Sequence, residues 1–404
     1  MTRFPHRAVP IVLAAVVVDV IGFGIVMPVL PALVTELGGM ELTEATRVSG
    51  WMLAVFAVAQ FFAGPVMGSL GDRFGRRPVL IAAMVAFSID YLLMAVAPTL
   101  FWLFVGRAVA GVAGATFGPA GAVIADVSPP ERRAELFGWI GAAFGIGFVI
   151  GPALGGLVSD LGPRAPFVVA SSLAALNAAV MMFLLPETLA DENRRPFRLR
   201  DANVVGSFRP LFEAGRAAPL VVAWLLWQVG GVVYPATWSF WAAIQLGWDA
   251  TAIGWSLAWV GLLQAIVQLG LTKRILAALG ERRAALLGLA TGALTLFAYA
   301  FTTQGWQVYA FFVVGCLSAV AFPAMQGIMS RMVDATRQGA LQGGLSSLNS
   351  VAAIVGPVLA AQALAFGAPR GLPGAAFLVA GALIGAAALI ILAFTPATRA
   401  QVGD

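Results

Sequence analysis

The sequence predicts an all-α membrane protein of twelve transmembrane helices in two pseudo-symmetric six-helix halves. Three observations predict it: the composition, the spacing of the apolar runs, and a short internal repeat. Of 404 residues, 60% are hydrophobic and 11% charged, and the mean hydropathy is +0.91. A soluble domain carries about 25% charged residues, and disorder needs low hydrophobicity with high charge, so both classes are excluded. One crossing takes roughly 20 apolar residues, and twelve of them use most of this chain. The formal net charge of +5 is not a nucleic-acid signal, because the basic residues sit between apolar runs.

Apolar stretches bounded by charges or turn residues place spans 1 to 12 near 8–35, 47–70, 79–97, 100–125, 136–159, 164–186, 218–245, 251–272, 283–302, 306–330, 340–366 and 373–395. Span 1 follows Arg3 and Arg7 as a signal peptide would. It is too long for one and carries Asp19 at its centre, so it is expected to be a membrane span that doubles as the targeting signal. The stretch Glu187 to Ala217 holds six Arg and five acidic residues. It is expected to be a cytoplasmic linker, 187–217, between halves 1–186 and 218–404. With the N-terminus inside, inside segments hold 20 Lys and Arg, and outside loops hold Arg47, Arg164 and Arg370, with Arg107 left in the membrane. That asymmetry predicts cytoplasmic termini in the cell's inner (plasma) membrane. Gly75-Arg76-Arg77 recurs as Gly280-Glu281-Arg282-Arg283, and Gly151-Pro152 recurs as Gly356-Pro357, both 205 residues on. Such a parallel repeat places a substrate site where the halves meet, near the midplane.

Three full charges fall inside spans: Asp19, Asp90 and Arg107. Each costs at least about 2.5–3.5 kcal/mol in hydrocarbon, so each should face the bundle interior with a partner or a proton. Counting 1.5 Å per residue puts Asp90 and Arg107 at equal depth, roughly 10 Å from the outer surface, and Asp19 near the middle. Arg107 can therefore reach Asp90, or Asp19 by extending. These three residues are the candidates for proton coupling; a structural ion pair is the alternative for Asp90 and Arg107. Spans of the second half carry no charge away from their ends. They offer Gln228, Gln264, Gln268, Gln326, Gln342 and Asn349, and seven of the 11 Trp lie between Trp224 and Trp259. Trp224, Trp227, Trp238 and Trp241, with Tyr234, are spaced to put several rings on one side of span 7, which would suit a flat amphipathic ligand. Candidate substrate residues are Gln228, Tyr234, Trp238, Trp241, Gln264, Gln326 and Asn349.

Between spans 2 and 3 the chain reads Gly68-Ser69-Leu70-Gly71-Asp72-Arg73-Phe74-Gly75-Arg76-Arg77. The small residues allow close approach of helix ends. Asp72 is expected against a helix N-terminus of the other half, where the dipole favours an anion, and Arg76 against Asp126. Span 5 has Gly147, Gly151 and Gly155 at four-residue steps, with Gly156 and Pro152 beside them, a face made for close helix contact. Asp72, Arg73, Arg76, Arg77, Asp126, Gly151 and Pro152 are the candidate gating residues. The single cysteine, Cys316, and the single histidine, His6, exclude a disulfide within the chain and a Cys- or His-based metal site.

The stretch Gly68 to Arg77 resembles motif A of the major facilitator superfamily. Arg107 with Gly111 resembles motif B, with Ala110 where a Gln is common, and Gly147 to Gly156 resembles motif C of drug–proton antiporters. Asp19 with Gly22-Phe23-Gly24-Ile25-Val26-Met27-Pro28-Val29-Leu30-Pro31 is similar to helix 1 of the tetracycline-efflux (TetA-type) family. Asp90-Tyr91, Ile124-Ala125-Asp126, Trp248-Asp249-Ala250-Thr251, Leu279 to Arg283 and Gln338 to Gly343 are similar too. The resemblance implies export of a drug-like compound against protons, with an Asp of helix 1 and an Asp of helix 3 taking part, here Asp19 and Asp90. The exporters also have a His in helix 8, where this chain has Gln264, and an Asp in helix 9, where it has Gly292.

The expected activity is proton-coupled efflux of an amphipathic drug-like molecule by alternating access. Its partners would be a small-molecule substrate, protons and the lipid bilayer, with no cofactor, no metal and no nucleic acid, in a protein functional as a monomer. A carrier of a lipid, sugar or metabolite is the first alternative, although a metabolite carrier would want fixed charges in the cavity to match its substrate, and here only the first half has any. A sensor on the same fold is the second, and it would leave the buried Asp and Arg without a task. No nucleophile–base pair is visible, so an enzyme is not expected.

Overall fold

The computed structural model describes residues 6–114, 117–194, 218–331 and 338–395. All the regular elements among them are helical, because in hydrocarbon a spanning segment must satisfy its own backbone groups. In chain order they are α1 (Ala8–Gly38), α2 (Leu42–Phe74), α3 (Arg76–Val96), α4 (Leu100–Ala113), α5 (Phe117–Val127), α6 (Pro130–Ser159), α7 (Ala165–Leu184), α8 (Ala218–Gly231), α9 (Val233–Leu246), α10 (Ala250–Ile266), α11 (Thr272–Ala300), α12 (Gly305–Gly315), α13 (Ala321–Ser330), α14 (Gln338–Gly367) and α15 (Ala375–Phe394). Most of the expected linker, from residue 195 to 217, lies outside the described residues.

Ten continuous stretches are long and apolar enough to cross a membrane. One of them, Ala250–Ala300, has 51 residues. Straight, it would reach about 76 Å, against a hydrocarbon core of about 30 Å. Gly280 breaks it, with φ 72° and ψ 165°. Counted as two, and with α4 and α5 together taken as one more, the stretches make the twelve spans. A π-helical turn, Val267–Leu271, interrupts the first of these two parts, and the Thr272 hydroxyl donates to the Val267 carbonyl over 3.0 Å there.

Six described residues have positive φ and all are glycine. They fall into three pairs: Gly39 and Gly247, 208 apart; Gly75 and Gly280, 205 apart; Gly162 and Gly371, 209 apart. Each pair marks the same turn in the two halves, so the repeat read from two motifs extends to the backbone of the loops.

Contacts divide the chain into two units: Met1–Val204 with Ala242–Gly261, and Val205–Trp241 with Leu262–Asp404. In unit 1, α1 packs on α6 and α7, and α3 on α7. In unit 2, the corresponding pairs recur: α8 on α14 and α15, and α11 on α15. The assignment of Ala242–Gly261 to unit 1 has a steric reason in α6. A Cβ on Gly151 would stand 2.7 Å from the Ile21 carbonyl oxygen and 2.9 Å from the Gly24 Cα, and one on Gly147 would stand 2.8 Å from the Val17 carbonyl oxygen. That glycine face therefore seats backbone against backbone on α1. On another face, a Cβ on Gly156 would stand 2.9 Å from Thr251 Cα, the Thr251 hydroxyl donates to the Gly156 carbonyl over 3.0 Å, and Gly254 lies against the Pro152 carbonyl. Helix α6 is thus sandwiched between α1 and the start of α10.

Candidate functional site

Helix α3 carries Asp90, and α4 carries Arg107 opposite it. The two form a hydrogen-bonded ion pair between Arg107 Nη2 and Asp90 Oδ2. Both are buried, at 1% and 8% exposure. Glycine at position 106 makes the approach possible, since a Cβ there would stand 2.6 Å from Asp90 Oδ1. Arg107 Nη2 also lies 3.0 Å from the Met94 sulfur, and the guanidinium carbon is 5.9 Å from the centre of the Phe56 ring. The pair is only half satisfied: Asp90 Oδ1 and Arg107 Nε are buried without a hydrogen-bond partner among the described residues. A buried pair of this kind is weak as a stabiliser, and its unmade hydrogen bonds are a cost that a purely structural clamp would not need.

Asp19 sits apart from that pair. It is half-buried, and no hydrogen bond or ion pair reaches it among the described residues. It lines a cavity inside unit 1 with Val12, Ala15, Val16, Leu80, Met84, Ala120 and Met181, contributed by α1, α3, α5 and α7. The space, about 20 Å³ measured to water centres, is enough for one water. Apart from Asp19 itself, the side chains that line it are apolar and belong to one bundle. Asn177 of α7 holds the preceding turn of α1, donating to the Ala15 carbonyl over 3.2 Å.

Tyr91 lies between these two places, and sequence reasoning did not single it out as a functional residue. Its hydroxyl packs on α1 at Gly22, where a Cβ would stand 2.9 Å away, one helical turn beyond Asp19. It is 3% exposed. The available signal was its place next to Asp90, which says nothing of the third helix that it reaches.

On the side of the unit where α2 meets α3, Arg76 makes two ion pairs, Nη1 to Asp72 at 2.6 Å and Nε to Asp126 at 3.3 Å. The pairing of Arg76 with Asp126 is the one that the sequence led us to expect. Arg77 Nη2 donates to the Met182 carbonyl over 2.5 Å, and exposed Arg73 lies 4.9 Å from the centre of the Phe74 ring. A second residue missed by sequence reasoning is Glu187. Its carboxylate accepts from the backbone N–H of Arg76 (2.9 Å) and Arg77 (3.2 Å), and also from those of Thr188 and Leu189. It therefore caps α3, the first-turn N–H groups of which have no partner in their own helix. Glu187 had been read only as one of the charges of the linker. Gly151 and Pro152 lie where α6 is sandwiched, with Pro152 against Gly24 of α1 and Gly254 of α10.

The candidates of unit 2 separate into two groups. Trp238 and Trp241 do not offer a surface: both are 0% exposed. Trp238 packs on Trp241, Tyr299 and Phe312 at 5.2–5.3 Å between ring centres, and Trp241 packs on Phe377 at 5.0 Å. Half-buried Tyr234 joins the same cluster through Trp238 and Tyr299. The part of the aromatic stripe around Trp238 and Trp241 is core, because helical spacing shows which rings share a side but not what covers that side. The second group is polar. Trp224 Nε1 and Gln228 Nε2 both donate to Asn349 Oδ1, over 2.8 and 2.7 Å. Gln326 donates to Gln342 over 3.1 Å, and Gln264 is exposed. No cluster of three His, Cys, Asp or Glu side chains that could hold a metal occurs among the described residues.

Comparison with known proteins agrees with this architecture. The family model of the Major Facilitator Superfamily matches residues 12–241 and 220–403. The chain is 39% identical to the class C tetracycline resistance protein of Escherichia coli over 354 residues, covering 88% of this chain and 89% of that one. It is 35% identical to the class B protein of the same organism, over 88% of each chain. Among solved structures, the nucleoside transporter NupG superposes with a TM-score of 0.78 at 12% identity, over 96% of this chain and 98% of that one, which shows the shared fold. The chain belongs to the Major Facilitator Superfamily, and within it to the family of the tetracycline resistance proteins.

Proposed function

We propose that this protein exports an amphipathic drug-like small molecule in exchange for protons, by alternating access. The observation that carries the reading is the arrangement inside unit 1: an unpaired carboxylate, Asp19, in an apolar cavity, and a half-satisfied Asp90–Arg107 pair, with Tyr91 between them. Charges that expensive in a membrane mark ion or proton pathways. Relatives named as tetracycline resistance proteins support a drug as substrate. Proton binding is assigned to Asp19 first, with Asp90 and Arg107 setting the field around it. Asp72, Arg73, Arg76, Arg77 and Asp126 form the gate, and Gly151 and Pro152 the hinge face of α6. Gln228 and Asn349 are the substrate contacts that unit 2 supports best, with Gln264 and Gln326 as further polar candidates. The protein would lie in the inner (plasma) membrane with both termini cytoplasmic, a reading that the distribution of Lys and Arg supports, and work as a monomer.

The test begins with a drug-susceptibility panel in an efflux-deficient host, which selects the compound. Transport of that compound is then measured in vesicles under an imposed pH gradient. Wild type should concentrate it, and Asp19→Asn should lose pH-driven transport while still exchanging substrate for substrate. The proposal fails if Asp19→Asn concentrates the compound when the pH gradient is the sole driving force.

A further inference from the structure

The amide cluster of unit 2 has an orientation that can be read without ambiguity. An indole N–H can only donate. Trp224 therefore identifies the atom that it meets on Asn349 as the oxygen. Gln228, sharing that acceptor, must then point its nitrogen at it. The remaining polar groups follow: Asn349 Nδ2 with two N–H donors, and Gln228 Oε1 with its lone pairs. Neither has a hydrogen-bond partner among the described residues. Both side chains are half-buried on membrane-spanning helices, where an unmet amide is costly unless water or a ligand meets it.

The walls beside this edge are aromatic. Buried Trp224 packs on Trp227 at 5.3 Å and on Phe322 at 5.6 Å between ring centres, and Trp227 and Phe322 are 6.1 Å apart. Phe322 is 40% exposed and Trp227 half-buried, so ring faces remain available beside the amides. The aromatic core around Trp238 and Trp241 has no such edge.

We propose that Asn349 and Gln228 form a donor–acceptor edge that reads the substrate, with its ring system against Trp227 and Phe322. The ligand class that fits is a planar aromatic molecule with a hydrogen-bond acceptor beside a donor on one edge, such as a carboxamide or a hydroxy-carbonyl group. Asn349 Nδ2 donates to the ligand carbonyl, and Gln228 Oε1 accepts from its N–H or O–H. Trp224 acts as a positioning residue that locks the Asn349 amide. The proposal rests on the transport reading only for its meaning in the cell, because the edge is tested by binding alone.

The experiment uses the full chain purified in detergent and quenching of its tryptophan fluorescence. The probes are 3-hydroxy-2-naphthamide and its fully methylated counterpart, with the same ring and carbonyl but no donor. Wild type should bind the parent about tenfold more tightly, the effect of roughly one good hydrogen bond. Asn349→Asp keeps an oxygen for Trp224 and Gln228 but loses the free donors. Gln228→Leu keeps the Trp224–Asn349 bond but loses the acceptor, and it preserves the test if Asn349→Asp does not fold. Gln228→Leu should bring the two probes to equal affinity, whereas Asn349→Asp, which loses the donor to the carbonyl that both probes carry, should weaken both alike, by about tenfold. The inference is overturned if wild type shows no preference or binds neither probe, if folded Gln228→Leu keeps the tenfold preference, or if folded Asn349→Asp binds both probes as tightly as wild type. A preserved preference in wild type without export in vesicles sinks the efflux reading and leaves the edge standing. Export without the preference does the reverse.

Discussion

The two halves share their turns and differ in what fills them. Gly39, Gly75 and Gly162 recur as Gly247, Gly280 and Gly371. The backbone of α14 at Gly356 faces Val229 of α8 and Val232 just beyond its end, as Gly151 of α6 faces Ile21 and Gly24 of α1. Arg282 donates to the Leu392 carbonyl over 2.8 Å, as Arg77 does to Met182. Carried through the same offsets, however, Asp19 corresponds to Trp227, Asp90 to Thr295 and Arg107 to Phe312. One bundle holds a charged interior and the other an aromatic one. A repeat can keep its loops and helix contacts, which any apolar side chains satisfy, while its buried polar groups diverge, because those answer to a task and not to the fold.

The comparison can be broken most easily at the ion pair. Arg107→Leu leaves Asp90 buried without its partner and should cost about 3–5 kcal/mol. Phe312→Leu at the corresponding place should cost less than about 1.5 kcal/mol. Denaturant unfolding in detergent reads both, and equal losses would show that the charged interior carries no special strain. Adding Asp90→Asn to Arg107→Leu should restore part of the stability without restoring transport.

A smaller difference is expected at the helix contacts. Gly151→Ala meets backbone atoms at 2.7 and 2.9 Å, whereas Gly356→Ala meets Val232 Cβ at 3.0 Å and the Val229 carbonyl oxygen at 3.2 Å. The first should cost about 1–3 kcal/mol and the second less than half of that, by the same unfolding measurement. Similar values would mean that α14 is seated as tightly as α6.

At the cap, Glu187→Ala should cost about 0.5–2 kcal/mol and speed hydrogen exchange at the Arg76 and Arg77 amides. The second half has Ala397 one residue after Pro396, as Glu187 follows Pro186. Its α11 should therefore show no such carboxylate dependence. Unchanged exchange at Arg76 would remove Glu187 from the cap.

The smallest effect on stability is expected at Tyr91. Its hydroxyl has no hydrogen-bond partner among the described residues, so Tyr91→Phe should leave unfolding unchanged while slowing pH-driven transport about tenfold or more, as loss of a proton-handling group does. Leu296→Ile, at the matching place of the second half, should leave the pH response alone. Transport by Tyr91→Phe at the wild-type rate would confine the proton chemistry to Asp19 and Asp90.

The sequence by itself determined the twelve spans, the repeat and the identity of the three charges inside spans. These depend on quantities that one chain position carries alone: apolar run length, charge, and the conformational freedom of glycine at a turn. It also anticipated Arg76 with Asp126, and it offered Arg107 two partners, Asp90 at equal depth or Asp19 by extension, between which the structure takes Asp90. Only the tertiary structure decided the rest. It put Trp238 and Trp241 in a closed core, lined the cavity at Asp19 with apolar side chains of α1, α3, α5 and α7, brought Glu187 back across 111 residues to cap α3, and set Tyr91 against Gly22. Each of these depends on which helix covers a given face and at what angle, and that is decided by close packing of small residues between helices rather than by the period of any one of them.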